Sequence, residues 1–520
     1  MNNITVFTAG ADIANECSRA VTTYIFKNAD RAAYESKKAQ IVSGGFEMMN
    51  ERSNKAYTYS DYLSENIGVF MYHYPSISEI TVVVEKNTAY FSYSDTPRAA
   101  AVTPQITQIE LEDFGMSYPI RLSDGRYIVI DGGRALEYET NKLYKALKAG
   151  SIHEKPVIAA WILSHPHSDH FFCFNTFMKK YGSEVEVEKV MFNFPDADDE
   201  FYAKALSSED KRFCEGSASE NITKMLDIID SFNLPVYTPH TGQTYKIGDA
   251  VLEFISTMDD TKHITPNVNA TSLVFRMELA GQVILWTNDA SIGFARLPDK
   301  YGDYLKCDIL QIPHHGFQCG SPDEEIRGYM LMQPETCLLP VADYTAYNFF
   351  SALTKSTGFL YRNIGFSEVI SGTPQRTISL PYTPPPYARA ETLRKFTDGV
   401  DSCGARTWVF TNLRTDRPED FKFSVVNFAI PIVDVIIELY FDEPSTCVRN
   451  IRAQFPRCQA IKIDIRDYDK DPKSPFSAFE ALKVVGIPEN TDFSVRFICS
   501  DPVVISHKDH QPAYHSGSAR

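Results

Sequence analysis

Cysteine is scarce and scattered in this sequence. The chain has 10 cysteines in 520 residues, and no two of them stand in a CxxC spacing. A zinc ribbon or a dense disulfide framework needs closely spaced cysteines, so both are excluded. Reduced thiols are expected instead.

The sequence also lacks an excess of basic charge and an uninterrupted apolar run. The formal net charge is −16, which disfavours non-specific binding to nucleic acid or anionic membrane but leaves a local basic groove open. The N-terminus shows no basic segment followed by an apolar run, so no signal peptide is predicted. The longest apolar stretch, residues 425–441, is broken by Asn427, Pro431 and Asp434 and indicates buried strands. We therefore predict a soluble cytoplasmic protein without a membrane partner.

The chain divides into three predicted regions. At 43% hydrophobic and 12% aromatic content it is a folded protein, too long for one ordinary core. Residues 1–100 predict a small domain with a helix from about Asp12 to Gln40, followed by an antiparallel sheet. Residues 103–382 alternate strands with helices, which favours an α/β sandwich with helices on the outer faces. Two of these helices are predicted from about Phe172 to Tyr181 and from about Ser219 to Phe232. After a proline-rich linker at Thr383, residues 388–520 predict a β-rich or α+β accessory domain.

Histidines cluster in two short segments. The stretch SHPHSDHFF, residues 164–172, holds three of the twelve histidines, and His314 and His315 form a pair later in the chain. The apolar run VIAAWIL ends directly at Ser164, so the first cluster is predicted at the carboxyl end of a buried strand. Ligands bind at that edge of open α/β sheets, and imidazole and carboxylate groups suit zinc and related divalent ions.

Three other apolar strands end in residues of the same chemical type. RYIVI ends at Asp131, QVILWT at Asn288 and Asp289, and CDILQIP at His314 and His315. We expect the four strand ends to converge on one polar site. If they did not, the ligand-type residue at each strand end would need its own structural explanation.

These motifs together resemble the metallo-β-lactamase superfamily. Its HxHxDH signature is present at residues 165–170, and its strand ending in Asp-Gly-Gly is present at Asp131. The segments 115–133, 269–290 and 307–316 look most like the hydrolase domain of bacterial competence DNA-uptake proteins. The resemblance covers roughly residues 103–382 and implies an αββα sandwich of α/β (α+β) class.

The resemblance implies a binuclear metal centre. His165 and His167 would hold the first metal, Asp169 and His170 the second, and Asp289 would bridge both. One of His314 and His315 would complete the second site, with a slight preference for His314 because it comes first after the strand. Asp131 would orient a ligand histidine through its free ring nitrogen. The ions would be zinc, with manganese and iron as alternatives.

The sequence departs from the family pattern in two places. Asn288 replaces the usual glycine before the bridging aspartate, a mild change because asparagine tolerates a left-handed backbone. The third histidine of the first metal site is missing after AVLEFIS, where the sequence continues with Ser256, Thr257 and two aspartates. His263 is the nearest imidazole and a weak candidate ligand, and His240 is another. A carboxylate or water would otherwise complete the site.

The implied activity is metal-dependent hydrolysis by a metal-bound hydroxide, with Asp169 or Asp289 as catalytic residues that position the nucleophile. The subgroup resemblance points to a phosphoester or phosphodiester, on a small molecule or a nucleotide. The same fold also hydrolyses lactones, thioesters and other esters, and a degenerate metal-binding scaffold protein is the alternative from another class. A homo-oligomer formed through exposed edge strands stays open.

Overall fold

The computed structural model describes fourteen segments of the chain. They are residues 4–88, 93–95, 98–208, 216–317, 319–341, 368–372, 374–385, 407–426, 432–441, 447–456, 461–465, 490–499, 503–509 and 514–515. The chain forms two compact units, residues 1–342 with 355–385 and residues 343–354 with 386–520, and the boundary at residue 385 is close to the predicted linker at Thr383. The finer division between residues 1–100 and 103–382 falls inside the first unit and stays a prediction.

The N-terminal part of the first unit is a six-stranded antiparallel sheet with two helices. The elements are α1 Ile4–Thr8, β1 Ile13–Glu16, β2 Val21–Phe26, α2 Arg31–Ser43, β3 Glu47–Ser53, β4 Thr58–Ser64, β5 Ile67–Tyr74 and β6 Glu79–Lys86. The strand order is β1-β2-β6-β5-β4-β3. The predicted helix from Asp12 to Gln40 is therefore wrong in its first half. The run VTTYIF is rich in β-branched residues and pairs with β6, while Asp30 caps the real helix by accepting from the backbone N–H of Ala33.

The rest of the first unit is a sandwich of two sheets. The first has the order β13-β12-β10-β9-β8-β7-β21, with β11 pairing β10, and the second has the order β14 to β20. The first contains β7 Gln105–Gln108, β8 Ser117–Arg121, β9 Tyr127–Asp131, β10 Val157–Ile162, β11 Glu186–Val187, β12 Val190–Met191, β13 Val236–Tyr237 and β21 Arg376–Ser379. The second contains β14 Thr244–Ile247, β15 Ala250–Ser256, β16 Val274–Leu279, β17 Gln282–Trp286, β18 Ile309–Gln311, β19 Thr336–Leu338 and β20 Glu368–Ile370.

The core of the sandwich lies between the two sheets. Ile130 and Ile162 of the first sheet and Phe275 and Trp286 of the second belong to one buried apolar cluster. On the outer face of the first sheet, Trp161 packs against Phe174, with ring centroids 5.0 Å apart. All six residues of β10 are buried, because both faces of this parallel strand are covered, which explains its continuous apolar sequence.

Helices follow the strands of both sheets. They are α3 Glu137–Gly150, α4 Ser168–Tyr181, α5 Ala203–Leu206, α6 Ala218–Ser231, α7 Met258–Thr261, α8 Leu297–Tyr301 and α9 Pro322–Met332. Helix α3 contacts β8, and α4 contacts β9, so the outer face of the first sheet is covered by helices. This arrangement confirms the predicted αββα sandwich. In the described part of the chain, no helix combines the length and the apolar character that crossing a membrane requires.

The second unit, by itself, consists of strands in its described residues. They are β22 Thr407–Arg414, β23 Lys422–Val426, β24 Ile432–Phe441, β25 Cys447–Pro456, β26 Ile461–Asp464, β27 Asp492–Cys499, β28 Val504–His507 and β29 Tyr514–His515. They form one sheet of order β25-β24-β27-β22-β29 and another of order β26-β23-β28 around a core that includes Phe410, Phe423 and Phe497. The predicted C-terminal β-rich domain is consistent with this unit.

Candidate metal centre

The first histidine cluster lies between β10 and α4. Strand β10 ends at Ile162, His167 stands at the N-cap position of α4, and Asp169 and His170 fall in its first turn. A negative charge in the first turn of a helix is favourable, since the backbone N–H groups there have no partner within the helix. The tight strand-to-helix connection directs the side chains of this loop toward the edge of the sheet.

Two overlapping groups of buried side chains could hold metal ions. One consists of His165, His170 and Asp289, and the other of Asp169, His170 and His315, with ligand atoms within 4.8 Å of one another in each group. His170 Nε2 lies 3.2 Å from Asp289 Oδ2 and 3.2 Å from His315 Nε2. His315 Nε2 also lies 3.0 Å from Asp169 Oδ2. Side chains that follow three separate strands, β10, β17 and β18, therefore meet.

Two ligand-type atoms in these groups have no hydrogen-bond partner among the described residues. They are His165 Nε2 and Asp289 Oδ1, both buried. A buried polar atom without a partner costs free energy, so most such atoms in folded proteins are satisfied. Here the two atoms belong to side chains that divalent ions bind, and a metal between them would satisfy both. The residues present therefore fit divalent metal ions.

The electrostatics of the cluster suit cation binding. Burial would raise the pKa of Asp169, but His170 and His315 hold the pKa of this carboxyl well below its usual value. The pKa of Asp289 is likewise held well below the usual value by His170 and His315 in spite of burial. Burial and the neighbouring His170 and His167 lower the pKa of His165, which is therefore a neutral imidazole. Two carboxylates and a neutral imidazole are ligands in their metal-binding forms.

Asp131 fixes the orientation of the first cluster. Its buried carboxylate accepts hydrogen bonds of 2.7 Å each from the backbone N–H of Ser164, from Ser164 Oγ and from His170 Nδ1. Because Nδ1 of His170 donates its proton to Asp131, Nε2 is free to face a metal. This is the geometry that the role predicted for Asp131 requires. Ser164, which the sequence suggests as a loop residue, ties Asp131 to the histidine loop.

The second histidine segment places His315 rather than His314 in a ligand group. His315 is 1% exposed, and its Nδ1 donates to the carbonyl oxygen of Pro340 at 2.9 Å, which leaves Nε2 facing Asp169. His314 Nε2 lies 4.0 Å from Asp289 Oδ2 and 3.1 Å from the amide nitrogen of Asn269. The geometry therefore favours His315 as the ligand, in contrast to the slight preference for His314 drawn from the sequence.

A buried glutamine positions Asp289. Gln311 Oε1 accepts from the backbone N–H of Thr287 at 3.1 Å and also from that of Asn288, and its Nε2 donates to the carbonyl oxygen of Ile312 at 2.6 Å. Asn288 has a φ of +49°, so the residue that replaces the family glycine adopts the left-handed backbone expected of it. Gln311 was not predicted. A polar residue at the end of the otherwise apolar strand β18 was the available signal for Gln311.

The remaining candidates for the first metal differ in their surroundings. His167 lies beside His165, with ring centroids 4.7 Å apart, but it is not a member of either ligand group. His263 is also outside both groups. It lines a separate cavity, and no residue that lines this cavity belongs to either ligand group. His240 is fully buried and its Nδ1 donates to Asp259 at 2.7 Å. Asp260 accepts from Lys300 at 2.8 Å, so both aspartates after β15 are engaged elsewhere.

Comparison with known proteins agrees with this geometry. Residues 112–316 match the family model described as Metallo-beta-lactamase superfamily. No match was found among the curated proteins. A competence-protein subgroup is not identified by either comparison.

Several solved structures are similar to the chain. The metallo-beta-lactamase fold protein YhfI from Bacillus subtilis is 16% identical, with coverage of 52% of this chain and 96% of that one and a TM-score of 0.30. A metallo beta lactamase from Hirschia baltica is 11% identical over 55% and 98% of the two chains, with a TM-score of 0.23. CmlA, a diiron beta-hydroxylase from Streptomyces venezuelae, is 9% identical over 54% and 55%, with a TM-score of 0.32. At these identities none of them indicates the reaction of this chain.

Proposed function

We propose that this chain, which carries a domain of the metallo-β-lactamase superfamily, is a metal-dependent hydrolase of phosphoesters, with small or nucleotide-type phosphodiesters as its substrate class. The observation that carries the proposal is the pair of ligand groups that share His170, each with its own carboxylate. Ligands for two ions in one small buried volume suit hydrolysis at phosphorus better than they suit a purely structural metal site.

Two divalent ions bound there would lower the pKa of a coordinated water toward neutrality and neutralise charge on a phosphoryl group. Around them, Asp169 and Asp289 keep their negative charge inside the protein because His170 and His315 stabilise it. As carboxylates beside the ions, both could accept a hydrogen bond from the attacking water. We assign Asp169 and Asp289 this orienting role.

The rim of the site supplies a group for the substrate. His314 is 23% exposed in its side chain, and its Nδ1 has no hydrogen-bond partner among the described residues. Because Asn269 contacts its other ring nitrogen, the ring has a fixed orientation. His314 is placed to donate to a substrate oxygen, a role that differs from that of a metal ligand. The net charge of −16 favours small substrates over long polynucleotides.

The test combines metal analysis with turnover of bis(p-nitrophenyl) phosphate by the full chain. We expect close to two ions per chain and hydrolysis that falls at least 100-fold in Asp289→Asn, an isosteric change, because the charge and not the shape is lost. His153→Gln is the matched control, since His153 is a partly buried histidine whose Nε2 contacts the carbonyl oxygen of Asp124.

Two outcomes would contradict the proposal in different ways. Two ions per chain with no phosphodiester turnover, but with turnover of p-nitrophenyl acetate or a lactone, would keep the metal centre and replace the substrate class. Native and Asp289→Asn chains with the same metal content and the same activity would exclude the centre itself.

A further inference from the structure

A cavity separate from the proposed metal centre lies where the N-terminal sheet meets the sandwich. It has a volume of about 350 Å³ and is open to solvent on one side. This volume is within the range of sites that bind small molecules, which starts at roughly 300 Å³. Its wall on the side of the N-terminal sheet comes from β1, β2 and β6, and its other wall comes from residues 260–264 and 294–300. No lining residue belongs to either metal-ligand group.

The charged lining of the cavity has one more cation than carboxylates. Lys27, Arg296 and Lys300 line it together with two carboxylates, Glu79 and Asp260. Asp260 is only 4% exposed, and its charge is satisfied inside the protein by Lys300 at 2.8 Å, together with further donors that include the hydroxyl group of Thr241. This carboxylate therefore repels an anion in the cavity only weakly.

Two of the cations keep hydrogen-bonding capacity. Arg296 contacts Glu79 through one nitrogen at 3.3 Å, and a guanidinium group has five N–H donors. Lys27 is exposed and has no ion pair within the described part of the chain. The protein as a whole is acidic, with a net charge of −16. Two cations that can still donate hydrogen bonds in one concave site therefore depart from its general charge.

His263 lines this cavity as a neutral ring. Burial and the nearby cations Lys300, Lys27 and Arg296 outweigh Asp260 and lower its pKa, so the ring is neutral. Its buried Nδ1 has no hydrogen-bond partner among the described residues. The histidine that the sequence suggests as a weak metal ligand is thus a polar group of this second site.

Apart from Thr81, the remaining lining is apolar. Ile13, Ile25, Ile264 and Phe294 contribute to the wall. Apolar walls with a few placed polar groups are typical of sites that bind organic molecules rather than free inorganic ions.

We propose that this cavity binds a small organic anion, in which a phosphate or carboxylate group faces Lys27 and Arg296 and an apolar body packs on the isoleucines and Phe294. The site is independent of the proposed hydrolase function, because it shares no residue with the metal centre. Phe294 follows Asp289 by five residues, and Ile264 precedes Asn269 by five, so each lies within about 18 Å of the metal centre or its rim.

The experiment is calorimetric titration of the full-length chain with phenyl phosphate and, separately, benzoate at low ionic strength. We expect a saturable site, distinct from any binding of the phosphoester at the metal centre, that weakens at least 10-fold in Lys27→Glu. Lys86→Glu is the matched control because Lys86 is also an exposed lysine of the N-terminal sheet, at the end of β6, and lies outside the cavity. Both positions are exposed, so circular dichroism and the melting temperature are expected to stay native in both variants. Tighter binding of phenyl phosphate than of benzoate would identify a phosphate ligand, and the reverse a carboxylate ligand.

Repeating the titration on Asp289→Asn separates the cavity from the metal centre. Unchanged affinity there, combined with the loss in Lys27→Glu, supports the cavity whether or not the chain is a hydrolase. The proposal is overturned if neither compound binds at millimolar concentration, if Lys27→Glu binds as tightly as the native chain, or if binding disappears in Asp289→Asn.

Discussion

Residues that are not candidate ligands themselves fix the orientation of the histidines in the proposed metal centre. Asp131 accepts from His170 Nδ1 at 2.7 Å, and the carbonyl oxygen of Pro340 accepts from His315 Nδ1 at 2.9 Å. Each contact keeps a proton on Nδ1, so Nε2 is the nitrogen that would give up its proton to bind a metal. The two imidazoles are therefore preorganised for a metal before one binds, which reduces the entropy cost of binding.

Asp131→Asn tests this preorganisation. The amide keeps the shape of the carboxylate but cannot accept three hydrogen bonds with the same strength, so we expect metal affinity to fall 10–100-fold. Competition with a chelator measures the affinity. Asp61→Asn is the control, because Asp61 is a buried aspartate of the N-terminal sheet that accepts from Tyr59 and Asn50. An Asp131→Asn chain with native metal affinity would show that the hydrogen bonds only hold the loop.

Three histidine variants test which rings hold the metals. We expect His315→Gln to lose one ion per chain, because His315 Nε2 lies 3.0 Å from Asp169, and His263→Gln to lose none. His314→Gln is expected to keep both ions and to lower turnover about 10-fold through weaker substrate contact. The metal content per chain and kcat are measured on the same preparation of each variant and compared with the native chain. Loss of an ion from His263→Gln but not from His315→Gln would reverse the assignment.

The choice between His314 and His315 shows where sequence reasoning ends. Residues that leave a strand in extended form alternate between its two faces. Here both histidines have left β18 and adopt a left-handed backbone, with φ of +48° and +54°. Alternation does not apply to them, so the identity of the ligand depends on the turn geometry, which no local pattern in the sequence specifies.

Strands and their ends were the most predictable elements of the fold. The ends of β9, β10, β17 and β18 and the helix α6 were predicted within a few residues, because continuous apolar runs bounded by polar residues have few other interpretations. Helix α4 was predicted from about Phe172 but begins at Ser168, since ligand-type residues in its first turn hide the helical pattern. The strands before α2 were missed because short β-branched runs without strong turn residues between them look like a continuation of the neighbouring helical pattern.

A buried ion pair joins two elements of the first unit. His240 donates to Asp259, just after β15, at 2.7 Å, and its Nε2 lies 3.6 Å from Glu85 of β6. Despite burial, these carboxylates raise the pKa of His240 to about 10. Glu85 shows the matching change, because the nearby charged imidazole of His240 lowers its pKa in spite of burial. The charged imidazole thus stabilises the packing of the N-terminal sheet on the sandwich.

The contribution of His240 to stability depends on pH in a defined direction. The folded pKa of about 10 lies above the ordinary value of 6.5. The stabilisation is therefore complete below about pH 6.5 and is lost as pH rises through about 10. We expect His240→Gln to lower the free energy of unfolding by about 3 kcal/mol at pH 6 and by less at pH 10. Urea unfolding at both pH values measures this, with His153→Gln as the control. An equal loss at both pH values would mean that the ring is neutral in the folded protein.

At the scale of the whole molecule, the N-terminal sheet and the sandwich behave as parts of one unit. The hydroxyl groups of Tyr74 and Tyr301 are 2.7 Å apart, and Lys262 Nζ donates to the carbonyl oxygen of Cys17 at 2.9 Å. The sequence predicts a boundary between residues 100 and 103 from composition and turn signals. Such signals show where the order of strands and helices changes, but they do not show which surfaces are buried against each other. Long-range contacts of this kind have no local signature, so the interface could not be predicted.

Two truncations test the consequence. A chain of residues 1–385 is expected to fold and to keep its metal ions, because all the ligand residues and the N-terminal sheet belong to the first unit. A chain of residues 104–520 is expected to lose metal and to aggregate, since it exposes buried side chains such as Tyr301 and leaves Asp259 and His240 without Glu85. Metal analysis and calorimetry on both chains decide the matter. If the 104–520 chain binds two ions and unfolds at the native temperature, the N-terminal sheet is an independent domain, and the boundary predicted from the sequence is also the boundary of stability.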